Sequence, residues 1–281
     1  MKWITDVHTH SKFSHDGVDE LKDMLAAAQE AGVTFYGVSE HFDFELDMRL
    51  IESRNQTIDE EGYFHAARHL QEDYAGVMNV LVGAEFGYGE KENEHTRYAF
   101  IYEKYAPDFV VNSVHSYGGA DYYFQKPFYR EGANGEKVLR PKRETYAAYL
   151  RLVRKSLDAE YPYDILGHLG YLARYAPYAD KELRYEEFAE EIDEVLIALI
   201  AKDKILEVNA SSSGLEGDTV PPRRLIERYY ELGGRKISYA SDAHKTEDIA
   251  RKREKIMQTL KEIGFDYLTV PCRGEHIKVE I

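Results

Sequence analysis

Apolar and polar positions along the chain follow two alternating patterns. Short, largely apolar segments, predicted as strands, span residues 3–7, 34–38, 80–83, 109–114, 164–166, 205–208 and 236–239. Longer amphipathic segments, predicted as helices, span residues 20–31, 59–74, 97–105, 141–159, 185–202, 221–232 and 246–263. Repeated strand–helix units are typical of an α/β fold with a parallel sheet. Seven such units without a flexible linker predict one domain, residues 1–281, that forms a closed or nearly closed TIM-like barrel.

Two stretches fall outside this repeat. Residues 117–140 are rich in aromatic residues and glycine and predict a long loop over one end of the barrel. Long loops in compact domains commonly act as lids or binding loops. Residues 267–270 and 277–281 predict a short terminal hairpin.

The acidic composition narrows the classes of partner. The chain of 281 residues has a formal net charge of −15 at pH 7, which disfavours nucleic acid because its phosphates reward clustered Lys and Arg. A small phosphorylated metabolite stays compatible, since a local cluster of cations reverses the field around a site. The single cysteine, Cys272, fits a reducing compartment, and we expect a cytoplasmic protein. No segment reaches the ~20 apolar residues of a membrane span, so we expect no membrane partner, and a monomer or small homo-oligomer.

Histidines and carboxylates follow six of the seven predicted strands. They are Asp6 near the end of the first strand with His8, His10 and His15 after it, Glu40 and His41 after the second, Glu85 after the third, His115 after the fourth, His168 after the fifth, and Asp242 and His244 after the seventh. In a parallel barrel all carboxyl ends open onto one face, where active sites are built. Converging imidazoles and carboxylates would be costly to bury without cations. The pattern therefore predicts a metal centre at this rim.

A simpler interpretation exists for each residue alone. A histidine or carboxylate at a strand end is ordinarily a surface residue or a helix cap. Such residues recur at six strand ends, and this recurrence favours metal ligation because six independent coincidences are hard to produce. Two of the other histidines, His65 and His69, have the spacing of a helical metal pair, but no glutamate follows His65 as the zincin motif requires. We expect these two, with His95 and His276, to bind no metal.

The ordered set of residues resembles the polymerase and histidinol phosphatase (PHP) superfamily. Its recurring pieces correspond to His8-Thr9-His10, Glu40-His41, Glu85, His115, His168 and Asp242-Ala243-His244. The resemblance implies a distorted seven-stranded β/α barrel. Residues 15–17, 164–175 and 207–215 are further similar to the monofunctional histidinol-phosphate phosphatases. This likeness implies a metal-dependent phosphomonoesterase that removes phosphate from L-histidinol phosphate in histidine biosynthesis.

The resemblance also implies a ligand set for three divalent ions, whether zinc, iron or manganese. The first ion would bind His8, His10, Glu85 and Asp242; the second Glu85, as a bridge, with His115 and His168; and the third His15, His41 and His244. A metal-bound hydroxide would attack phosphorus directly, and Asp242 or His244 would protonate the leaving alkoxide. Asp6 and Glu40 would orient the ligating imidazoles.

Three residues are predicted to bind the substrate. Arg174 follows His168 by six residues, and its guanidinium matches phosphate in fork geometry. Ser213 begins a Ser-Gly-Leu stretch that the resembling phosphatases continue with a basic residue, whereas this chain has Glu216. Arg223, or its neighbour Arg224, would replace that basic residue, or the substrate differs.

Two alternatives to this function remain open. One is a PHP-type phosphoesterase or exonuclease that acts on another phosphoester or on nucleic acid. The other is a catalytically silent metal-binding domain. The aromatic residues Tyr117, Tyr122, Tyr123 and Phe124 would either stack on an imidazole-bearing substrate or pack the long loop.

Overall fold

Seven parallel strands form the barrel in this computed structural model, which describes residues 4–47 and 58–281. The strands are β1 (Thr5–Asp6), β2 (Phe35–Val38), β3 (Asn79–Gly87), β4 (Phe109–Ser113), β5 (Ile165–Leu166), β6 (Ile205–Asn209) and β7 (Ile237–Ala240). Neighbours in the sheet are neighbours in the chain, and a further short strand, His41–Phe42, pairs with β3. The barrel closes where Val7 N donates to Tyr239 O at 3.4 Å and Thr9 forms a parallel bridge with Ala243. The predicted barrel is confirmed; of its predicted first strand, Trp3 lies outside the described residues.

Within the described residues, seven α-helices surround the strands, as predicted. They are α1 (Leu21–Glu30), α2 (Glu60–Asp73), α3 (Glu92–Tyr105), α4 (Lys142–Ser156), α5 (Ala189–Ala201), α6 (Arg223–Glu231) and α7 (Arg253–Ile263). Short 3-10 turns span Tyr122–Phe124, Lys126–Phe128, Tyr171–Arg174, Tyr185–Glu187 and Thr246–Asp248. Helix α5 shows why the pattern works, since its buried residues Ile192, Val195, Leu196 and Leu199 form one stripe at helical spacing. None of the helices formed by the described residues is long and apolar enough to cross a membrane.

Large side chains fill the interior of the barrel toward the amino-terminal ends of its strands. The ring of Phe109 occupies the space that β-carbons at Gly37 and Gly83 would need, and a Cβ at Gly83 would lie 2.4 Å from that ring. The same apolar cluster includes Val270 and Val279 from the terminal hairpin. This hairpin consists of β8 (Tyr267–Cys272) and β9 (Glu275–Glu280), paired antiparallel. It closes the amino-terminal end of the barrel and leaves the carboxyl end open.

Residues 117–140 are more ordered than the predicted long loop. Ser116–Tyr117 pairs with Ala120–Asp121, and Tyr129–Glu131 pairs with Lys137–Leu139, both antiparallel. The first of these small hairpins follows β4 directly. It therefore reaches over the carboxyl end of the barrel, where the predicted metal ligands lie.

Candidate functional site

Glu85 lies at the centre of the site. Its side chain projects from β3 and is completely buried. Oε2 lies 3.3 Å from His8 Nε2, 3.6 Å from His10 Nε2 and 2.9 Å from His41 Nδ1. His8 and His10 point to the same side because extended residues alternate, and their Nε2 atoms are 3.0 Å apart.

The second oxygen of Glu85 faces a different pair of imidazoles. Oε1 lies 3.1 Å from His115 Nε2 and 2.9 Å from His168 Nε2, and the two Nε2 atoms are 3.3 Å apart. Behind this pair, Asp43 Oδ1 lies 2.9 Å from His115 Nδ1. One carboxylate thus separates two groups of nitrogen donors.

A third group lies toward the mouth. Asp242 Oδ1 is 3.5 Å from His10 Nε2 and 3.7 Å from His244 Nδ1. His244 Nε2 is 3.2 Å from Asp16 Oδ2, and Asp16 Oδ1 is 3.8 Å from His41 Nε2. The carboxylate of Asp16 therefore lies between two predicted ligands of the third ion.

His15, which the resemblance assigns to that third ion, lies less close to Asp16 than His244 does. Its Nε2 is 4.0 Å from Asp16 Oδ2. Four groups have ligand atoms mutually within 4.8 Å: His8 with His10 and Glu85; Glu85 with His115 and His168; His41 with Asp43 and His115; and His10 with His41 and His244. Among the described residues, His15 belongs to none of these groups, so its role as a ligand stays a prediction.

The clustered nitrogen and oxygen atoms are better suited to binding cations than to hydrogen-bonding with each other. Two neutral imidazole nitrogens can share only one proton, yet the Nε2 atoms of His8 and His10 face each other, as do those of His115 and His168. Glu85 Oε2 is buried and makes no hydrogen bond among the described residues. These clustered groups could bind metal ions, and a mixed imidazole and carboxylate set suits zinc, iron or manganese.

Glu207, which lies in one of the stretches similar to the phosphatases but was given no role from the sequence, contacts the ring of His8 and the backbone of His168. Its Oε1 lies 2.5 Å from His8 Nδ1, and its Oε2 accepts a hydrogen bond from His168 N at 2.6 Å. Burial raises the pKa of Glu207, but the adjacent His8 ring, together with His168, outweighs burial and holds that pKa below its ordinary value. The charged carboxylate therefore fixes the His8 ring.

The carboxylates of Asp6 and Glu40, which were predicted to orient imidazoles, bind serines and backbone nitrogens. Glu40 accepts hydrogen bonds from Ser11 N and Ser14 Oγ, and Ser14 Oγ lies 3.3 Å from His10 Nδ1. Asp6 accepts from the backbone after β7, at Ser241 N (2.8 Å) and Ala250 N (3.0 Å). Asp6 therefore holds a loop rather than a ring.

Arg174, which is predicted to bind phosphate, lines the open cavity above the cluster. The cavity has a volume of about 230 Å³ and is also lined by His244, Ser211 and Arg251. Arg174 Nη1 lies 3.2 Å from Asp242 Oδ2, and Nη2 donates to Asn209 Oδ1 at 3.0 Å. Only 7% of the arginine side chain is exposed.

Arg223 and Ser213 do not line this cavity, which corrects their predicted placement. Arg223 begins α6, is half exposed, and pairs with Glu227 (2.8 Å) and Glu262 (3.0 Å). Ser213 is exposed. Glu216, the unexpected acidic residue, is 79% exposed and its Oε2 lies 3.8 Å from Arg184 Nη2.

Arg251 and Ser211 line the cavity, whereas Arg223 and Ser213, which were predicted to bind the substrate, do not. Arg251 donates from Nε to Ser241 O at 2.8 Å and from Nη2 to Asp242 O at 3.0 Å. These bonds fix its guanidinium beside Asp242. The cavity therefore contains two arginines even though Glu216 replaces the expected basic residue.

Four site residues were not predicted, and the sequence indicates some of them more clearly than others. They are Asp16, Asp43, Glu207 and Arg251. Asp43 is two residues beyond His41 and so lies on the same face of an extended segment. Glu207 precedes a strand end without histidine, so a search that begins from histidine passes over it. Arg251 belongs to the loop after β7, whose path the sequence pattern does not reveal.

Comparison with known proteins decides the family. The PHP domain family matches residues 6–211, well over half of the chain. The chain belongs to the PHP family. This agrees with the resemblance seen in the strand-end motifs.

Two named relatives are similar to this chain over nearly its full length. A probable histidinol-phosphatase of Clostridium acetobutylicum is 28% identical over 247 residues, which are 88% of each chain. A histidinol-phosphatase of Lactococcus lactis is 28% identical over 264 residues, covering 94% of this chain and 92% of the other. Sequence similarity therefore extends over more of the chain than the PHP domain match at residues 6–211.

Two solved structures share the fold. The histidinol phosphate phosphatase of Lactococcus lactis, complexed with zinc, L-histidinol and phosphate, has a TM-score of 0.83 at 24% identity, covering 99% of this chain and 100% of the other. A putative histidinol phosphatase of Listeria monocytogenes has a TM-score of 0.74 at 21% identity, covering 89% and 99%. This chain and the Lactococcus lactis structure therefore share the whole barrel, including the terminal hairpin.

Proposed function

We propose that this chain is a metal-dependent phosphomonoesterase that hydrolyses L-histidinol phosphate. The observation that carries the proposal is the position of Glu85, whose two oxygens face separate groups of imidazoles. Metal sites that share a ligand suit phosphate-ester hydrolysis, because they act on both the attacking and the leaving oxygen. The named relatives from Clostridium acetobutylicum and Lactococcus lactis, and the Lactococcus complex with L-histidinol and phosphate, support this substrate.

We infer that the donor atoms hold three divalent ions. The first would bind His8, His10, Glu85 and Asp242; the second Glu85, His115 and His168; and the third His41 and His244 with Asp16, or with His15 as predicted from the resemblance. When bound, such ions lower the pKa of water to roughly 7 and neutralise a phosphate dianion. The zinc in the Lactococcus structure makes zinc the first ion to test.

The two arginines would bind the phosphate. Arg174 is held by Asp242 and Asn209, while its buried Nε has no hydrogen-bond partner among the described residues. Arg251 is held by two backbone carbonyls. Guanidinium groups fixed in this way orient phosphate oxygens with little loss of conformational entropy.

Asp242 and His244 lie on the cavity wall beside Arg174. A group on this wall would lie near the ester oxygen of a phosphate held by the arginines. We therefore assign the protonation of the leaving alkoxide to one of these two residues.

Purified protein tests the proposal directly. Metal content is measured by elemental analysis, and phosphate release is measured with L-histidinol phosphate and p-nitrophenyl phosphate, alongside cleavage of single-stranded DNA. We expect kcat/KM for L-histidinol phosphate to exceed that for p-nitrophenyl phosphate by about 100-fold or more, with the DNA uncut. DNA cleavage would indicate the exonuclease alternative, and bound metal without any hydrolysis would indicate a silent domain.

The chain offers a matched control for the ligands. His8→Ala/His10→Ala should abolish phosphate release and lower the metal content. His65→Ala/His69→Ala removes two histidines on α2, where His69 is 70% exposed, and should change neither quantity. Retained turnover in the first variant would refute the assigned site.

A further inference from the structure

A further cavity lies at the closed end of the barrel, opposite the metal cluster. It has a volume of about 230 Å³ and is formed where the turn before β6, the turn before β7 and the terminal hairpin meet. The described residues that line it include four cationic side chains and one carboxylate, those of Lys204, Arg235, Lys236, Lys278 and Asp203. We call it the basic cavity. The chain as a whole has a formal net charge of −15, so this local excess of positive charge marks a place that attracts anions.

Two of the lysines in the basic cavity are not neutralised by a carboxylate. Lys204 donates to a backbone carbonyl, and Lys278 Nζ lies 4.3 Å from the centre of the Tyr267 ring. Neither lysine forms an ion pair within the described residues, whereas Lys236 Nζ pairs with Asp203 Oδ2 at 2.5 Å. Burial lowers the pKa of Lys204, and the nearby carboxylate of Asp203 does not restore it. The positive charge in the cavity is therefore only partly balanced.

Thr269 adds a hydroxyl group to the wall of the same cavity. The residue is 1% exposed, and its Oγ1 is buried without a hydrogen-bond partner among the described residues. Thr269 lies opposite Lys278 in the antiparallel register of β8 and β9, so the two side chains share one face of the hairpin. The other face carries Val270 and Val279, which belong to the apolar cluster inside the barrel. A buried hydroxyl without a partner costs free energy, and an anion in the cavity would accept its hydrogen bond.

The electrostatics of helix ends explain part of this positive charge but not all of it. Cations are favoured near the carboxyl ends of helices, and Arg235 follows α6, where it donates to Tyr230 O at 2.9 Å and to Gly234 O at 2.8 Å. Lys278 and Thr269 belong to the hairpin instead. The hairpin therefore adds a cation and a hydroxyl donor that the helix ends do not require.

We propose that the basic cavity binds a tetrahedral dianion of the phosphate type, either inorganic phosphate or the phosphate group of a metabolite. Lys204 and Lys278 would neutralise its two charges, and Thr269 Oγ1 would donate to one of its oxygens. The described residues that line this cavity are all different from those of the metal cluster and of the cavity with Arg174, so the inference does not rest on the proposed function. A bound anion would connect the hairpin to the turn before β6 and stabilise the closed end of the barrel.

Nuclear magnetic resonance of the isotope-labelled protein locates the site. Sulfate, which stands for inorganic phosphate, and methylphosphonate, which stands for a phosphate monoester and is not hydrolysed, are titrated separately while chloride keeps the ionic strength constant. We expect saturable shifts of the amide signals of Lys204, Thr269 and Lys278. Shifts with sulfate alone would identify a free anion as the ligand, and shifts with methylphosphonate would identify a phosphate monoester. If neither probe shifts these signals saturably, the inference is wrong, whatever happens to signals near the metal cluster.

Two variants separate a role in binding from a role in folding. Thr269→Val keeps the shape of the side chain, and Oγ1 has no partner to lose, so the free energy of unfolding in anion-free buffer should not fall, whereas the affinity for the bound probe should fall roughly tenfold. Lys278→Met should lower that affinity by roughly threefold to fivefold, because this lysine is exposed. Lys22→Met/Lys104→Met removes charge from exposed positions on α1 and α3 and should match wild type. Wild-type affinity in both Thr269→Val and Lys278→Met, or an equal loss in the control, overturns the inference.

Discussion

Glu207 holds two parts of the site with one carboxylate. It contacts the ring of His8 and the backbone nitrogen of His168, residues 160 positions apart in the chain. With Nδ1–H of His8 donating to this carboxylate, Nε2 is left as the free donor atom, and it faces Glu85. Such contacts set both the tautomer and the direction of a ligand.

Glu207→Gln should therefore lower metal affinity and activity by roughly 10–100-fold. The amide can donate to Nδ1 and so favours the tautomer whose proton sits on Nε2. Titration of the metal-free protein with zinc, together with kcat/KM for L-histidinol phosphate, measures the effect. Glu190→Gln, on the exposed face of α5, is the matched control. Zinc affinity equal to that of wild type would show that His8 needs no such partner.

Arg174 and Arg223 were both expected to bind phosphate, but their replacement by alanine is predicted to affect KM differently. Arg174→Ala should raise KM for phosphoesters by roughly 10–100-fold, because a charge-assisted hydrogen bond contributes about 1.5–3 kcal/mol. Arg223→Ala should leave KM within about twofold, since its partners are surface glutamates. Steady-state kinetics of the two variants decides the matter, and an equal rise in both would restore Arg223 to the site.

At the scale of elements, local patterns could be predicted and tertiary contacts could not. The apolar stripe of α5 is local, and its helix was predicted. Helix α7 was predicted from residue 246 but begins at Arg253. Ala250 and Lys252 have φ angles of 54° and 53°, which a helix cannot contain, and the carboxylate of Asp6 holds Ala250 N in this turn. A contact spanning 244 residues leaves no mark in a local pattern.

The same distinction explains which site residues the sequence revealed. Parallel strands bring every carboxyl end to one face, so Glu85, His115 and His168 could be placed from strand order alone. Side chains on loops could not, because the loop path decides which neighbour turns inward. His15 and Asp16 are adjacent, yet the second lies between His41 and His244.

The terminal hairpin depends on one buried carboxylate at the closed end of the barrel. Asp108 precedes β4 and accepts hydrogen bonds from Val82 N (2.9 Å), Arg68 Nη1 (2.8 Å) and Arg273 Nε (2.7 Å). Arg273 lies in the turn of the hairpin, between β8 and β9. Burial raises the pKa of Asp108, but the bonds from Arg273 and Arg68 outweigh burial and hold the pKa below its ordinary value.

Asp108→Asn should lower the free energy of unfolding by about 2 kcal/mol at pH 7. A lowered folded-state pKa contributes stability above the unfolded-state pKa of about 3.9 and loses it as pH falls through the folded-state pKa. The difference between wild type and variant should therefore shrink below about pH 4. Urea unfolding at several pH values measures it, with Asp158→Asn, which removes only exposed ion pairs, as the control. A difference that grows toward low pH would contradict the assignment.

At the scale of the whole molecule, the chain carries a net negative charge, and several of its carboxylates are buried at the open end of the barrel. The chain has a formal net charge of −15, and Glu85, Glu207 and Asp242 are buried in the mouth of the barrel, with Asp16 and Asp43 partly buried beside them. Imidazoles offset such a group of carboxylates only to the extent that they are protonated. The folded barrel is therefore expected to depend on cations for stability as well as for chemistry.

Removal of metal should lower the melting temperature of the entire barrel. An ion that binds only the folded state, present at about 1,000 times its Kd, contributes about 4 kcal/mol. For a domain of this size that corresponds to a fall of roughly 8 °C. Calorimetry before and after chelation measures the change, and zinc added back should restore both the melting temperature and phosphate release. His8→Ala/His10→Ala should show a smaller shift, because its first site is already lost. A chelated protein that is metal-free by elemental analysis and melts at the original temperature would show that the cluster contributes nothing to folding.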